Sequence, residues 1–187
     1  VTWFHCVLAL WSVFLLVWLA AALHPGKSVY RETQASRLSH ALPLTAAVAL
    51  FVPAVSRNLP RLSMRVVPGG LAGIGFAIAA MGIACAIVSR LVLGRFWSNT
   101  VSLKHDHRLV QAGPFAWVRH PIYTGVVLAG VGTAMALGTL AGLLGLAIGT
   151  AAVLRKMGIE ERLLGEHFGD AHALYRERVK RLIPYIW

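Results

Sequence analysis

Acidic side chains are scarce in this sequence: Asp and Glu number 7 against 18 Lys and Arg in 187 residues, a formal net charge of +11. Charged residues of both signs make up only 13%. That is too few for the solvated surface of an ordinary soluble domain, or for a chain kept disordered by its own charge. Cysteine is limited to Cys6 and Cys85, both inside apolar runs, which excludes a disulfide scaffold and leaves two small buried thiols. No internal repeat or low-complexity segment stands out. A basic excess can mark a nucleic-acid binder, but there the cations sit on polar elements, whereas here they separate long apolar runs. Those runs are what the chain has in quantity: 57% of residues are hydrophobic and mean hydropathy is +0.67. The composition describes an all-α, polytopic transmembrane helical bundle with no nucleic-acid partner; its first partner is the lipid bilayer.

A bilayer core takes about 20 apolar residues per helix. Trp3 to Leu23 meets that length and lacks the basic start of a cleaved signal peptide. Ala41 to Val55 forms a second, shorter run, with Pro43 expected in its first turn and Pro53 near its end. Gly69 to Ser89 is rich in Gly and Ala, which suits close helix contacts in lipid. Ile122 to Leu154 has no charge and, as one helix, would be roughly 50 Å long. Gly138-Thr139-Leu140-Ala141-Gly142 is its natural break, giving a helical hairpin and about five spans in all.

Positive-inside counting agrees. Five spans place Lys27, Arg31 and Arg37, the basic residues between Arg90 and Arg119, and all those from Arg155 onward on one side. Only Arg57, Arg61 and Arg65 fall on the other. Four spans would split the cations almost evenly. The expected orientation has the N-terminus outside and the C-terminus cytosolic, with a C-terminal helical segment completing a site on the cytosolic face. Residues 1–94 then hold three N-terminal helices and 95–187 the chemistry. Arg greatly outnumbers Lys, which suggests a GC-rich genome and a bacterial inner membrane.

Arg119-His120-Pro121 opens the fourth run. Proline suits a first helical turn, and a helix N-terminus flanked by Arg and His is a place for an anion; anchoring at lipid headgroups is the structural alternative. His105-Asp106-His107 alternates like metal ligands, but without a further ligand at set spacing no metal is assigned. Beyond the hairpin, Glu160 stands four residues after Lys156, on one helical face. A carboxylate at a membrane boundary is costly unless it meets a cation. Phe168-Gly169 breaks that helix. Asp170 to Leu182 reads as a further amphipathic helix with Leu174, Tyr175, Val179 and Leu182 as its apolar stripe, stopped by Pro184.

Taken in order, His107-Arg108-Leu109-Val110, Gly113-Pro114, Arg119-His120-Pro121-Ile122-Tyr123, Glu160-Glu161, Phe168-Gly169, Tyr175 and Leu182-Ile183-Pro184 resemble the isoprenylcysteine carboxyl methyltransferase family of membrane enzymes. The resemblance covers Trp97 to Pro184. It implies S-adenosyl-L-methionine as cofactor, in a pocket lined by His107, Arg108, Leu109, Val110, Phe115, His120, Pro121, Ile122 and Tyr123. Glu160 would hold the cofactor's ammonium, and Lys156, with Arg155 beside it, would face the substrate carboxylate. Phe115 and Lys156 stand where the family more often has Tyr and Arg, which removes a phenol contact and replaces a two-pronged clamp by a point charge.

The function implied is methyl transfer to the carboxylate of a prenylcysteine-like or other lipophilic substrate entering from the membrane. Such a carboxylate is ionised at neutral pH and needs no general base. The alternative is phospholipid or amine N-methylation, which does need a base, for which Glu161 and His120 are the sequence's candidates. An NADPH sterol-reductase-like enzyme and a non-enzymatic membrane protein are the remaining readings.

Overall fold

A computed structural model describes residues 3–22, 28–57, 59–94, 102–104 and 109–187. Five long helices dominate: α1 (Trp3–Ala22), α2 (Gln34–Phe51), α4 (Ala72–Leu93), α5 (Pro121–Leu137) and α6 (Leu140–Phe168). The short α3 (Pro53–Arg57) follows α2, and α7 (Asp170–Arg178) follows α6. Three segments, Trp3–Ala20, Gly69–Leu93 and Leu140–Phe168, are long and apolar enough to cross a bilayer by length and composition, and α5 is a shorter apolar helix. A two-stranded antiparallel ladder, β1 (Ser28–Arg31) with β2 (Ser102–Lys104), is a small addition that an all-helical reading did not anticipate.

Helix ends follow local chemistry. The second helix starts at Gln34 rather than Ala41, because Thr33 caps it by accepting the Ser36 N–H at 3.2 Å. Arg37 is therefore in its first turn, not in a loop, and Pro43 lies in the helix interior, where it cannot donate to the carbonyl one turn earlier. Pro53 begins α3 instead of closing the span. The third helix runs past Ser89 to Leu93, where the Arg90 guanidinium donates to the Gly94 carbonyl at 2.9 Å. The hairpin turns where expected. Gly138 takes a left-handed φ of 68°, and Thr139 caps α6 by accepting the Gly142 N–H at 3.2 Å. The segment from Leu62 to Val67 closes over that turn: Val66 N–H donates to the Gly138 carbonyl at 2.8 Å, and Leu140 N–H to Met64 at 3.0 Å.

Packing is the reverse of a soluble core. The buried residues are mostly small, such as Ala79, Ala86, Ala129 and Ala141, while Leu15, Leu16, Leu19, Met81 and Leu91 face outward. Lipid offers no hydrophobic drive between helices, so close backbone contact has to supply the attraction. The α4–α5 pair shows it. Gly75 lies against Gly132 and Ala136, and Gly82 against Gly125 and Ala129, so tightly that an added Cβ would sit 2.3–2.9 Å from backbone atoms. Both glycine pairs are seven residues apart, one on each antiparallel helix. Around this pair, α1 packs on α4 and α5, with Trp11 Nε1 donating to Thr133 Oγ1 at 3.0 Å. The α6 helix joins α5 on one side and α2 on the other.

The C-terminal segment departs from the sequence reading. Its helix ends at Arg178, and residues 179–182 leave the helix. The reason is visible in their carbonyls: Lys180 accepts Arg119 N–H at 2.7 Å, Arg181 accepts His120 N–H at 3.0 Å, and Leu182 accepts Thr124 Oγ1 at 2.8 Å. A continued helix would have used those carbonyls internally. The buried face of α7 is correspondingly His172 and Tyr175, with Leu174 exposed; Leu182 is buried from the non-helical segment.

Candidate functional site

The start of α5 and the last third of α6 lie side by side at the end of the bundle away from the hairpin turn. Pro121 occupies the first turn of α5, as its fixed φ favours, so His120 and Tyr123 project one turn apart with stacked rings 5.6 Å between centroids. From α6, Glu160 meets both: the Tyr123 hydroxyl donates to its Oε1 at 2.6 Å, and its Oε2 stands 3.7 Å from His120 Nδ1. The Glu160 side chain is 26% exposed, so one face of the carboxylate stays accessible. Lys156, one turn earlier, sets Nζ 5.9 Å from the Tyr123 ring centroid.

The next residue points elsewhere. Glu161 is buried and takes a two-pronged contact from Arg119, Nε to Oε1 at 2.8 Å and Nη2 to Oε2 at 3.0 Å. His120 Nε2 shares Oε1 at 2.7 Å. The anion that the sequence places at the mouth of α5 is thus the chain's own carboxylate. Arg119 also donates to the carbonyls of Arg176 and Val179, tying the C-terminal segment to this pair. Tyr175 on α7 donates to the Phe115 carbonyl at 2.5 Å, and burial pushes its hydroxyl pKa up to about 12.

Of the residues singled out from sequence, the structure brings His120, Tyr123, Lys156 and Glu160 together, with Pro121 buried and Ile122 half-buried at the same turn. Phe115 is buried in a 3₁₀ turn, Gly113–Ala116, and contributes its carbonyl to Tyr175. Leu109 and Val110 are half-buried just before that turn. His107 and Arg108, and with them His105-Asp106-His107, lie outside the described residues. Arg155 is exposed and turned to α2, donating to Ser39 Oγ at 2.6 Å. Among the described residues no three His, Cys, Asp or Glu side chains gather as a metal would require.

Sequence reasoning missed the partnership of Arg119 with Glu161. Two adjacent acids on a helix point about 100° apart, so one facing α5's mouth and one facing the tail was a readable signal. It also missed the wall from α2, where buried His40 sets Nε2 3.6 Å from Glu32 Oε1 and Ser36 Oγ donates to Glu32 Oε2 at 3.0 Å.

The isoprenylcysteine carboxyl methyltransferase of a solved eukaryotic structure, described as an intramembrane Ras methyltransferase, superposes with a TM-score of 0.56 at 25% identity, over 84% of this chain and 55% of that one. The protein-S-isoprenylcysteine O-methyltransferase of Schizosaccharomyces pombe is 35% identical over 96 residues, 50% of this chain and 41% of its own length. Protein-S-isoprenylcysteine O-methyltransferase B of Arabidopsis thaliana is 22% identical over 174 residues, 90% of this chain and 85% of that protein. The chain thus spans less than half the length of its S. pombe relative and most of the Arabidopsis one. The profile of the Phospholipid methyltransferase family matches residues 71–171, which takes in α4, the hairpin and both glutamates, and the chain belongs to that family.

Proposed function

We propose that this chain is an S-adenosyl-L-methionine-dependent membrane methyltransferase that esterifies the carboxylate of a prenylcysteine-like or other lipophilic acid, with its N-terminus outside and its C-terminus cytosolic. The observation that carries the reading is Glu160, held by Tyr123 at 2.6 Å and facing His120 at 3.7 Å while still partly exposed. A carboxylate fixed on one oxygen and open on the other fits the donor's ammonium. The family resemblance adds His107, Arg108, Leu109, Val110, Phe115, Pro121 and Ile122 as further cofactor contacts.

The donor, when bound, supplies a methyl group on a positively charged sulfur. The chain's own residues do the rest. Lys156, beside Tyr123, attracts and orients the substrate carboxylate, with Arg155 held back by Ser39. Holding two reactants in line lowers a barrier by up to roughly 7–11 kcal/mol. Charge is neutralised during transfer, so a water-poor setting between α5 and α6 favours it. The lipophilic substrate reaches this end of the bundle sideways through the bilayer.

Carboxylate methylation is favoured over amine methylation because the two candidate bases, Glu161 and His120, are committed to one another and to Arg119. The test is calorimetric titration of detergent-purified protein with S-adenosyl-L-methionine, then labelled-methyl transfer to farnesylcysteine analogues. A base-labile methyl ester is expected; base-stable methyl on an amine lipid, or no transfer to any lipophilic acid, would refute the acid assignment.

A further inference from the structure

We propose that the basic cleft between α7 and the C-terminal segment binds the phosphate group of an anionic phospholipid headgroup. The cleft has a volume of about 510 Å³ and is lined by Arg119, Arg176, Lys180 and Arg181, with Glu177 the one acidic side chain on its wall among the described residues and Trp187 also lining it. Arg119 on its wall is paired with Glu161, which does not itself line the cleft. Glu161 Oε2 is satisfied by Arg119 at 3.0 Å; Arg176 Nε at 3.6 Å and Arg181 Nε at 3.8 Å stand beyond hydrogen-bond length. Among the described residues, neither of those guanidiniums makes a side-chain hydrogen bond to a protein acceptor, and Arg176 is 53% exposed. Four cationic side chains on the wall, against Glu177 there and Glu161 behind Arg119, leave a net positive concavity with donors to spare, the arrangement that takes a group with several anionic oxygens.

Size and surroundings favour a lipid over free phosphate. The cleft is far roomier than one phosphate needs, and its neighbourhood is apolar and aromatic: Trp117, Ile183, Tyr185 and Ile186 are all exposed around the contact of Val118 with Lys180. Amphipathic aromatics beside basic pockets are what an interface with charged headgroups requires. The cleft is separate from the methyl-transfer residues, since Glu160, Tyr123 and Lys156 do not line it. The two places are linked through Glu161, whose Oε1 bonds His120 and whose Oε2 bonds Arg119 of the cleft wall.

The experiment needs no methyl donor. The purified full chain in neutral detergent is titrated with dihexanoyl-phosphatidylglycerol, dihexanoyl-phosphatidylcholine and inorganic phosphate, for the natural sequence and for the Arg176→Gln/Lys180→Gln variant. Lys180→Glu alone serves as a second variant, since its side chain is exposed. Phosphatidylglycerol is expected to bind at least tenfold tighter than phosphatidylcholine and to lose about fivefold per cation removed. Millimolar inorganic phosphate should not displace it. Equal binding of the two lipids, or binding unchanged in both variants, overturns the proposal. Displacement by inorganic phosphate overturns the lipid assignment and makes this a free-phosphate site.

Discussion

Arg119 and Glu161, 42 residues apart, form a fork-to-fork pair at 2.8 and 3.0 Å with both side chains almost fully buried. The pair fastens the start of α5 to the last third of α6, and Arg119's remaining donors fasten both to the C-terminal segment. Glu160 is thereby left to face Tyr123 and His120. One acid is structural and the other is available.

Glu161→Gln keeps the shape but leaves Arg119 without its countercharge. Breaking one side of a buried pair costs about 3–5 kcal/mol. Detergent-solubilised protein should therefore unfold at markedly lower denaturant, whether or not donor is present. An unfolding midpoint matching the natural protein would mean that the pair holds nothing together.

Tyr123→Phe removes only the 2.6 Å hydrogen bond to Glu160. A hydrogen bond to a charged group is worth about 1.5–3 kcal/mol of folding stability, and less where the acceptor is partly exposed, so the unfolding midpoint should fall modestly, and donor affinity should fall about tenfold or more because Glu160 loses the contact that aims it. If donor binding by calorimetry is unchanged, Glu160 does not depend on Tyr123 for its aim.

Much of this was legible in the chain itself. Apolar runs, Gly138-Thr139 and Pro121 mark α1, α4, the hairpin turn and the start of α5, because span length, a left-handed glycine and a prolyl N-terminus are local properties. Glu160 and Lys156 share a face by spacing alone. What was not legible is set by distant partners. Thr33 overrides Pro43 as the start of α2, and residues 179–182 give up helix because Arg119, His120 and Thr124 claim their carbonyls. The division of labour between Glu160 and Glu161 likewise depends on which side of α6 meets α5 and which meets α7.

Glycine substitutions should separate packing from propensity. At Gly82 a Cβ would lie 2.4 Å from the Ala129 nitrogen, so Gly82→Ala forces α4 from α5 and should destabilise by about 1–3 kcal/mol or more. At Gly158, inside α6, nothing lies within 4 Å of the added atom. Gly158→Ala should stabilise by up to about 1 kcal/mol through helix propensity alone. Opposite shifts in thermal unfolding are expected, and equal shifts would contradict the close α4–α5 contact.

His172, on α7, gives a pH dependence whose sign is fixed by its surroundings. The side chain is buried, its Nε2 has no hydrogen-bond partner among the described residues, and Nδ1 lies close to Gly165 on α6. Burial lowers its pKa below the ordinary 6.5; Glu161 opposes that shift, and Arg119, Arg176 and His120 add to it. The folded protein therefore binds fewer protons here than the unfolded chain. Its contribution is complete above about pH 6.5 and is lost as pH falls toward and through the lowered value. Thermal unfolding followed from pH 7.5 to 5 should show a fall in midpoint that is shallower in His172→Phe, whose ring cannot take up a proton. The comparison rests on slope, not level, because the replacement also changes packing against Gly165. Parallel slopes would show that His172 is protonated equally in the folded and unfolded chain.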